Sequence, residues 1–302
     1  MEKETIQEVI IIGGSYAGLS AAMTLGRAGR KVLVIDSGKP CNAQTPHAHN
    51  YLTQDGETPA GIAAKGLADA LKYPTVTHLN DFVTAAVKDN DYFELKTATG
   101  KSLKAKKLLF ATGVKDLMPE IKGFAECWGI SVIHCPYCHG YEVAGQKTAL
   151  LANGEIAFHF IQVLSQWTKD LVLYTNGPVN LNEAQLLALK SHGIPVIEVP
   201  VKELSQENGQ LKSLLLQDGQ EHFFSVMYGK VDFEQHSSLP ESLGCEINEQ
   251  GYLVIDDKKQ TSISGVYAAG DNTTMARSLS MAVASGTLSA VSINSTLISE
   301  SW

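Results

Sequence analysis

Cys135 and Cys138, in the run Cys135-Pro136-Tyr137-Cys138-His139-Gly140, are the residues whose types and spacing most directly specify chemistry in this chain. Two thiols this close can shut into a readily exchanged disulfide and reopen by thiol–disulfide exchange. The rest of the chain must then explain what carries electrons to or from the pair.

Other readings of the run each make a demand on the surrounding sequence. Cys-x-x-Cys-His is also the pattern of covalent haem attachment, which belongs to exported chains, and Met1-Glu2-Lys3-Glu4-Thr5 does not read as a signal peptide. A zinc site would need further ligands, whereas Cys41, Cys127 and Cys245 stand alone, so no metal is expected. Cys-Pro-Tyr-Cys copies the tetrad of glutaredoxins, but there it follows the first strand of a small domain and here it lies in mid-chain. Two unpaired structural cysteines remain the bland alternative; a redox dithiol is the favoured reading.

With 302 residues, 44% hydrophobic and 19% charged, the chain has the composition of ordinary globular proteins and room for two domains. A net charge of −8 without basic runs argues against nucleic acid and against an anionic membrane surface as partners. No apolar run approaches the roughly 20 residues that span a bilayer, and no export or lipidation signal is recognisable, so a cytoplasmic location is expected. Five scattered cysteines are too few for a stabilising disulfide framework.

Positioning begins at Val9-Ile10-Ile11-Ile12, an apolar run of buried-strand type, followed by Gly13-Gly14-Ser15-Tyr16-Ala17-Gly18 and a helical stretch from Leu19 to Leu25. Lys31 to Ile35 is a second strand ending in Asp36. This βαβ unit is a dinucleotide site in outline: glycines admit the pyrophosphate, the helix N-terminus offers N–H groups and dipole, and the acid accepts from ribose hydroxyls. Ser15 replaces the middle glycine of the usual pattern. Residues 37–57 form a long loop containing Asn42, His47, His49 and Asn50, whose two histidines could line a flavin, bind a metal or only hydrogen-bond within the loop, and Thr58 to Leu71 reads as a helix. Strand-like runs at Phe82–Val87, Tyr92–Leu95 and Lys107–Phe110 suggest a small β-meander appended to the sheet. A second βαβ pattern follows, with strands at Thr148–Leu151 and Leu171–Tyr174 around a helix from Glu155 to Trp167. Further strands are expected at Val196–Val199, Leu211–Leu216 and Phe223–Tyr228. Gly265–Asp271 returns to a buried strand ending in Gly-Asp, and Ser278 to Leu297 makes a long helix of small residues.

Taken in order, Gly13 to Gly18, Ala111-Thr112-Gly113, the Cys-x-x-Cys between two βαβ units and Gly265 to Asp271 resemble the low-molecular-weight thioredoxin reductases over nearly the whole chain. The resemblance implies an α/β fold of two Rossmann-like, three-layer ββα nucleotide-binding domains, the second inserted in the first. An FAD domain would comprise 1–117 and 229–302, and a nicotinamide-type insert 118–228 would carry the dithiol. Gly13, Gly14, Ser15, Tyr16, Ala17 and Gly18 would hold the FAD pyrophosphate, Asp36, Ser37 and Gly38 the adenosine ribose, and Val83 the adenine edge. Asn42, His49 and Asn50 would lie near the flavin, as would Ala111, Thr112 and Gly113. Gly270 and Asp271 would meet the ribityl chain, and Arg277, Ser278 and Leu279 would bring the last helix to the isoalloxazine. Cys138 would touch the flavin and Cys135 would exchange with substrate, with His139 moving protons. A homodimer is implied, with a thioredoxin-like protein or a small dithiol as the thiol or disulfide substrate.

Cys-Pro-Tyr-Cys-His-Gly-Tyr-Glu is also the form found in a side branch that resembles the dithiol oxidases of gliotoxin and holomycin biosynthesis, which pass dithiol electrons through FAD to oxygen. The expectation is an FAD-dependent disulfide/dithiol oxidoreductase exchanging electrons between flavin, the Cys135–Cys138 disulfide and a thiol substrate, with the oxygen-dependent dithiol oxidase, an NADPH-dependent thioredoxin-disulfide reductase and a vestigial flavin-binding interaction module as the other readings left open. Where Gly-x-Gly-x-x-Ala would bind a nicotinamide pyrophosphate, the insert has Ala152-Asn153-Gly154-Glu155-Ile156-Ala157. Thr175-Asn176-Gly177 stands where arginines would take a 2′-phosphate. Poor or absent use of NADPH or NADH is therefore expected.

Overall fold

The computed structural model describes Ile6 to Trp302. The chain divides into two compact units, unit 1 with Met1–Ala43, Pro59–Asp116 and Phe233–Trp302, and unit 2 with Gln44–Thr58 and Leu117–Asp232.

Unit 1 opens with β1 (Ile6–Ile12), α1 (Tyr16–Arg27) and β2 (Val32–Asp36). Val9 and Ile11 of β1 enter one core, shared with α1, while Ile10 and Ile12 enter another on the opposite face of the sheet. Burial on both faces is why the strand reads as a continuous apolar run rather than an alternating one. Next come α2 (Pro59–Leu71), β3 (Val76–Asn80), β4 (Val83–Asp89), β5 (Tyr92–Thr97) and β6 (Ser102–Phe110). The sheet runs β3-β2-β1-β6-β5-β4. β1 is parallel to both β2 and β6, whereas β4, β5 and β6 are antiparallel. The expected meander is therefore present and grows from β6, which begins at Ser102, well ahead of the run that announced it. β7 (Val114–Leu117) follows.

Unit 2 contains α3 (Phe124–Cys127), β8 (Val132–Ile133), α4 (Pro136–His139), β9 (Thr148–Leu151), α5 (Gly154–Leu164) and β10 (Leu171–Tyr174). It continues with α6 (Glu183–Ser191), β11 (Val196–Ile197), β12 (Val201–Glu207), β13 (Gln210–Leu216), β14 (Glu221–Phe223) and β15 (Val226–Gly229). A parallel sheet β11-β10-β9-β15-β8 stands beside an antiparallel β12-β13-β14. Two expectations are corrected here. The single strand expected over Phe223–Tyr228 is the end of β14 and the start of β15, in different sheets. Phe224 stays buried at the bend, its ring edge-on to Tyr174 with centroids 5.9 Å apart, so the apolar run changes sheet without leaving the core. The helix expected to reach Trp167 stops at Leu164, and Trp167 lies beyond it, edge-on to Tyr137 of α4.

The chain returns through β16 (Asp232–Gln235), paired with β7, to α7 (Leu239–Ser242), β17 (Val266–Ala268) and α8 (Leu279–Ser299). β17 extends the first sheet beside β6, with Val266 opposite Leu108. By length and composition α8 is apolar enough to cross a membrane, which overturns the expectation that no run comes close. Its small residues give it another use. A Cβ on Gly286 would overlap the Ala17 carbonyl oxygen, and Ser20 Oγ donates to the Val283 carbonyl at 2.8 Å, so α8 lies backbone to backbone on α1.

Candidate active site

In unit 1 the turn between β1 and α1 is shaped by glycines that have no substitute. Gly13 sits at φ +104, and a Cβ there would overlap the Ala111 carbonyl oxygen, while one on Gly18 would overlap the Gly13 oxygen. Asp36 at the end of β2 accepts from Gly14 N–H at 3.1 Å and from Gly38 N–H at 3.2 Å, fixing both turns beside the helix start. Ser15, extended at the N-cap, makes no side-chain capping bond, and no acid lies in the first turn. Tyr16 and Asn42 meet at the hydroxyl, 3.3 Å apart, and Tyr16 donates to the Pro59 carbonyl. Such a helix start offers its donors and dipole to an anion. Val83 buries its side chain in the second core, so only its backbone is left to meet the adenine edge expected there.

The C-terminal part of unit 1 adds groups to the same sheet end. Gly270, at φ +90, donates its N–H to Ser285 Oγ at 3.1 Å. Arg277 donates to both oxygens of Asp116, at 2.8 and 3.3 Å, and its Nε lies 3.4 Å from Asp271. Burial pushes the Asp271 carboxyl up and Arg277 draws it back. Arg277 is thus committed to two carboxylates, while Ser278 caps α8 by accepting from Met281 N–H at 3.2 Å. Asn272, absent from the sequence reading, is fully buried; it donates to the Phe110 carbonyl at 2.9 Å and leaves its Oδ1 without a partner among the described residues. A buried acceptor without a donor is the kind of group a ligand can satisfy. With the open α1 terminus and the glycine cradle, these residues fit FAD. Gly-Asp followed by Asn was the available signal for Asn272.

In unit 2, Cys135 and Cys138 form a disulfide with Cα atoms 5.2 Å apart. Cys135 is the extended N-cap of α4 and Pro136 its first residue, where the missing N–H costs nothing. Gly140 closes the turn because a Cβ there would overlap the Pro136 oxygen and lie 2.9 Å from the Trp167 ring, which holds Tyr137 edge-on at 5.4 Å. His139 is half-buried; burial lowers its pKa, His49 lowers it further and Glu142 opposes both, which favours the neutral imidazole. His49 Nδ1 lies 3.5 Å from Glu142 Oε1. The remaining cysteines are free thiols; burial pushes up the pKa values of Cys127 and Cys245.

At the second turn the helix start is capped at its first N–H by the protein's own side chain. Asn153 Oδ1 accepts from Gly154 and Asn180 N–H at 2.8 and 2.9 Å, and its Nδ2 donates to the Pro178 and Thr175 carbonyls. Glu155 occupies the first turn and accepts from Gln185 Nε2 at 2.9 Å. Gln185 is held in turn by a capping box with Asn182. Asn176 accepts from Val201 N–H at 2.9 Å, and Thr175 Oγ1 donates to the Gly177 carbonyl at 2.6 Å. These residues do not fit a nicotinamide dinucleotide: its pyrophosphate would meet an occupied helix start and a carboxylate.

A family model described as pyridine nucleotide-disulphide oxidoreductase matches residues 7–286. Thioredoxin reductase tcpT of Claviceps purpurea (strain 20.1) is 33% identical over 297 residues, covering 95% of this chain and 92% of that protein. The solved oxidoreductase from Agrobacterium tumefaciens is similar with a TM-score of 0.92 at 33% identity, over 97% of this chain and 99% of that one. HlmI is similar with a TM-score of 0.92 at 31% identity, over 100% and 95%.

Proposed function

The chain belongs to the pyridine nucleotide-disulphide oxidoreductases of the thioredoxin-reductase-like kind, and from that premise we propose that it is an FAD-dependent dithiol oxidase whose electrons come from a dithiol substrate rather than from NADPH. The observation that carries this reading is the closed second turn, where Asn153 fills the helix start and Glu155 adds a negative charge. Unit 1, with Gly13 to Gly18, Asp36 and Asn272, would hold FAD.

Exchange at the disulfide moves two electrons in two attacks. A substrate thiol gives its proton to His139, and the thiolate attacks Cys135 Sγ, breaking the Cys135–Cys138 bond and leaving the Cys138 thiolate beside a mixed disulfide. Once His139 has passed the first proton to water it takes the proton of the second substrate thiol, and that thiolate attacks the substrate sulfur of the mixed disulfide. Oxidised substrate leaves and Cys135 becomes a thiolate, so two electrons have moved to the pair. FAD, when bound, supplies the two-electron acceptor for the reduced pair, with oxygen as final oxidant and hydrogen peroxide as product. A small dithiol or a thioredoxin-like protein would serve as substrate. An exposed stripe on α8, Met281, Leu288, Val291 and Ile298, supports a homodimer.

The test is anaerobic mixing of the flavin-loaded enzyme with NADPH, NADH and dithiothreitol in turn, following flavin absorbance. Bleaching by dithiothreitol alone, reversed by air with peroxide formed, is expected. Rapid bleaching by micromolar NADPH would restore an ordinary reductase.

A further inference from the structure

The segment Gln44–Thr58 groups with unit 2, apart from the unit 1 sequence on either side of it, and its internal bonds hold one histidine. Ala48 and Glu57 pair as an antiparallel bridge. Asn50 adopts φ +56 and donates its N–H to Asp55 Oδ1 at 2.7 Å, and His47 Nδ1 lies 3.0 Å from the Gly56 carbonyl oxygen. The loop so pinned presents His49, one-fifth exposed, with Nδ1 3.5 Å from Glu142 Oε1 and 3.8 Å from Asp55 Oδ1. Its ring meets His139 at 90° with centroids 6.1 Å apart. His139 follows Cys138 directly, and Glu142 lies on the turn after it, so loop and dithiol turn converge on one imidazole.

We propose that His49 and Glu142 are positioning residues for the proton step at the dithiol: the Glu142 carboxylate orients His49, and the His49 ring fixes His139 as the base that receives the substrate thiol proton. This rests on the reading of Cys135–Cys138 as the exchange centre. The proton leaves S–H, the sulfur keeps the electron pair that attacks Cys135, and His139 becomes imidazolium until it returns the proton to water. Asp55 and His47 face His49 from its own loop. From β15, Tyr228 has a fully buried hydroxyl without a partner among the described residues; burial, and then Glu142, push its pKa up and keep it a neutral donor.

The two residues act on His139 with opposite sign, which separates positioning from simple packing. Glu142 raises the His139 pKa and His49 lowers it. In Glu142→Gln the imidazole becomes a weaker base, so the acid limb of the pH–rate profile moves to lower pH and the plateau rate falls about tenfold. In His49→Gln the acid limb moves to higher pH. Glu142→Asp, which keeps the charge, returns the limb toward its original place.

The experiment measures anaerobic flavin bleaching of the holoenzyme by dithiothreitol across pH for these variants. In parallel, the His139 ring resonance is titrated by NMR, assigned through His139→Gln, as a readout independent of turnover. Limbs and titration midpoints moving in opposite directions support the proposal. Midpoints that stay fixed, or move together, overturn it. If Cys135→Ser is bleached as fast as the wild type, the exchange-centre reading itself has failed; normal wild-type behaviour with unmoved midpoints sinks the positioning role alone.

Discussion

The chain builds the same junction twice, a strand running through a glycine turn into a helix, and finishes it in opposite ways. Ahead of α1, Ser15 leaves the helix start uncapped, and Asp36 bonds to the turn from behind. Ahead of α5, Asn153 caps the helix, reaches over to Asn180 and Pro178, and is followed by Glu155 in the first turn. A helix start must have its first N–H groups satisfied by something. The first start has no side-chain cap, and the second has one of its N–H groups, that of Gly154, taken by Asn153. The difference teaches that the same strand–turn–helix frame can leave its helix start uncapped or cap it from the chain, according to the residues placed at the turn.

The largest expected break in this comparison is at Gly13. Gly13→Ala must place a Cβ at φ +104 against the Ala111 carbonyl, with a cost of about 3 kcal/mol or more and loss of bound flavin. Gly154 has φ +70, but a Cβ there would meet nothing nearer than 3.5 Å, so Gly154→Ala should cost only about 1–2 kcal/mol and leave flavin content unchanged. Urea unfolding and flavin absorbance of the two purified variants measure the contrast; equal losses would remove it.

Reopening the second turn is the next effect in size. Asn153→Gly combined with Glu155→Ser removes the internal cap and the charge, and NADPH should then bind about tenfold more tightly, by quenching of protein fluorescence. If affinity does not move, the turn is closed by more than these two side chains, and Gln185 with its Asn182 capping box is the next place to look.

Much of this was legible from the residues. β1 declared itself by its double-sided burial, Gly13 and Gly18 by close approaches only glycine permits, and Glu155 by its place in a helix's first turn. Groups that depend on distant partners were not legible. Arg277 reads as a helix-start residue, yet it is bound to Asp116 from a strand far away in sequence. His49 sits in a loop without periodicity, and only folding brings it to Glu142 and His139. Asn180 closes the second turn from beyond β10, a contact no local spacing predicts. Likewise Phe223–Tyr228 looks like one strand because hydrophobicity reports burial and not the sheet that provides it.

The smallest effect tests the comparison at equivalent positions, the two N-caps. Asn153 makes four hydrogen bonds with its side chain, two as acceptor and two as donor. Asn153→Ala leaves those groups to find water in a partly buried turn, and should lower stability by about 1–2 kcal/mol without changing flavin content. Ser15 makes no capping bond, so Ser15→Ala removes nothing the folded chain uses, and its unfolding free energy should stay within about 0.5 kcal/mol of the wild type when both are measured free of flavin. With flavin present the order changes. A hydroxyl lost at the open helix start weakens the hold on the cofactor, so Ser15→Ala should gain less stability from added FAD than the wild type does, while Asn153→Ala should gain as much. A Ser15→Ala protein destabilised in the flavin-free state as strongly as Asn153→Ala would mean that the first helix start is also closed from within, and the contrast between the two junctions would disappear.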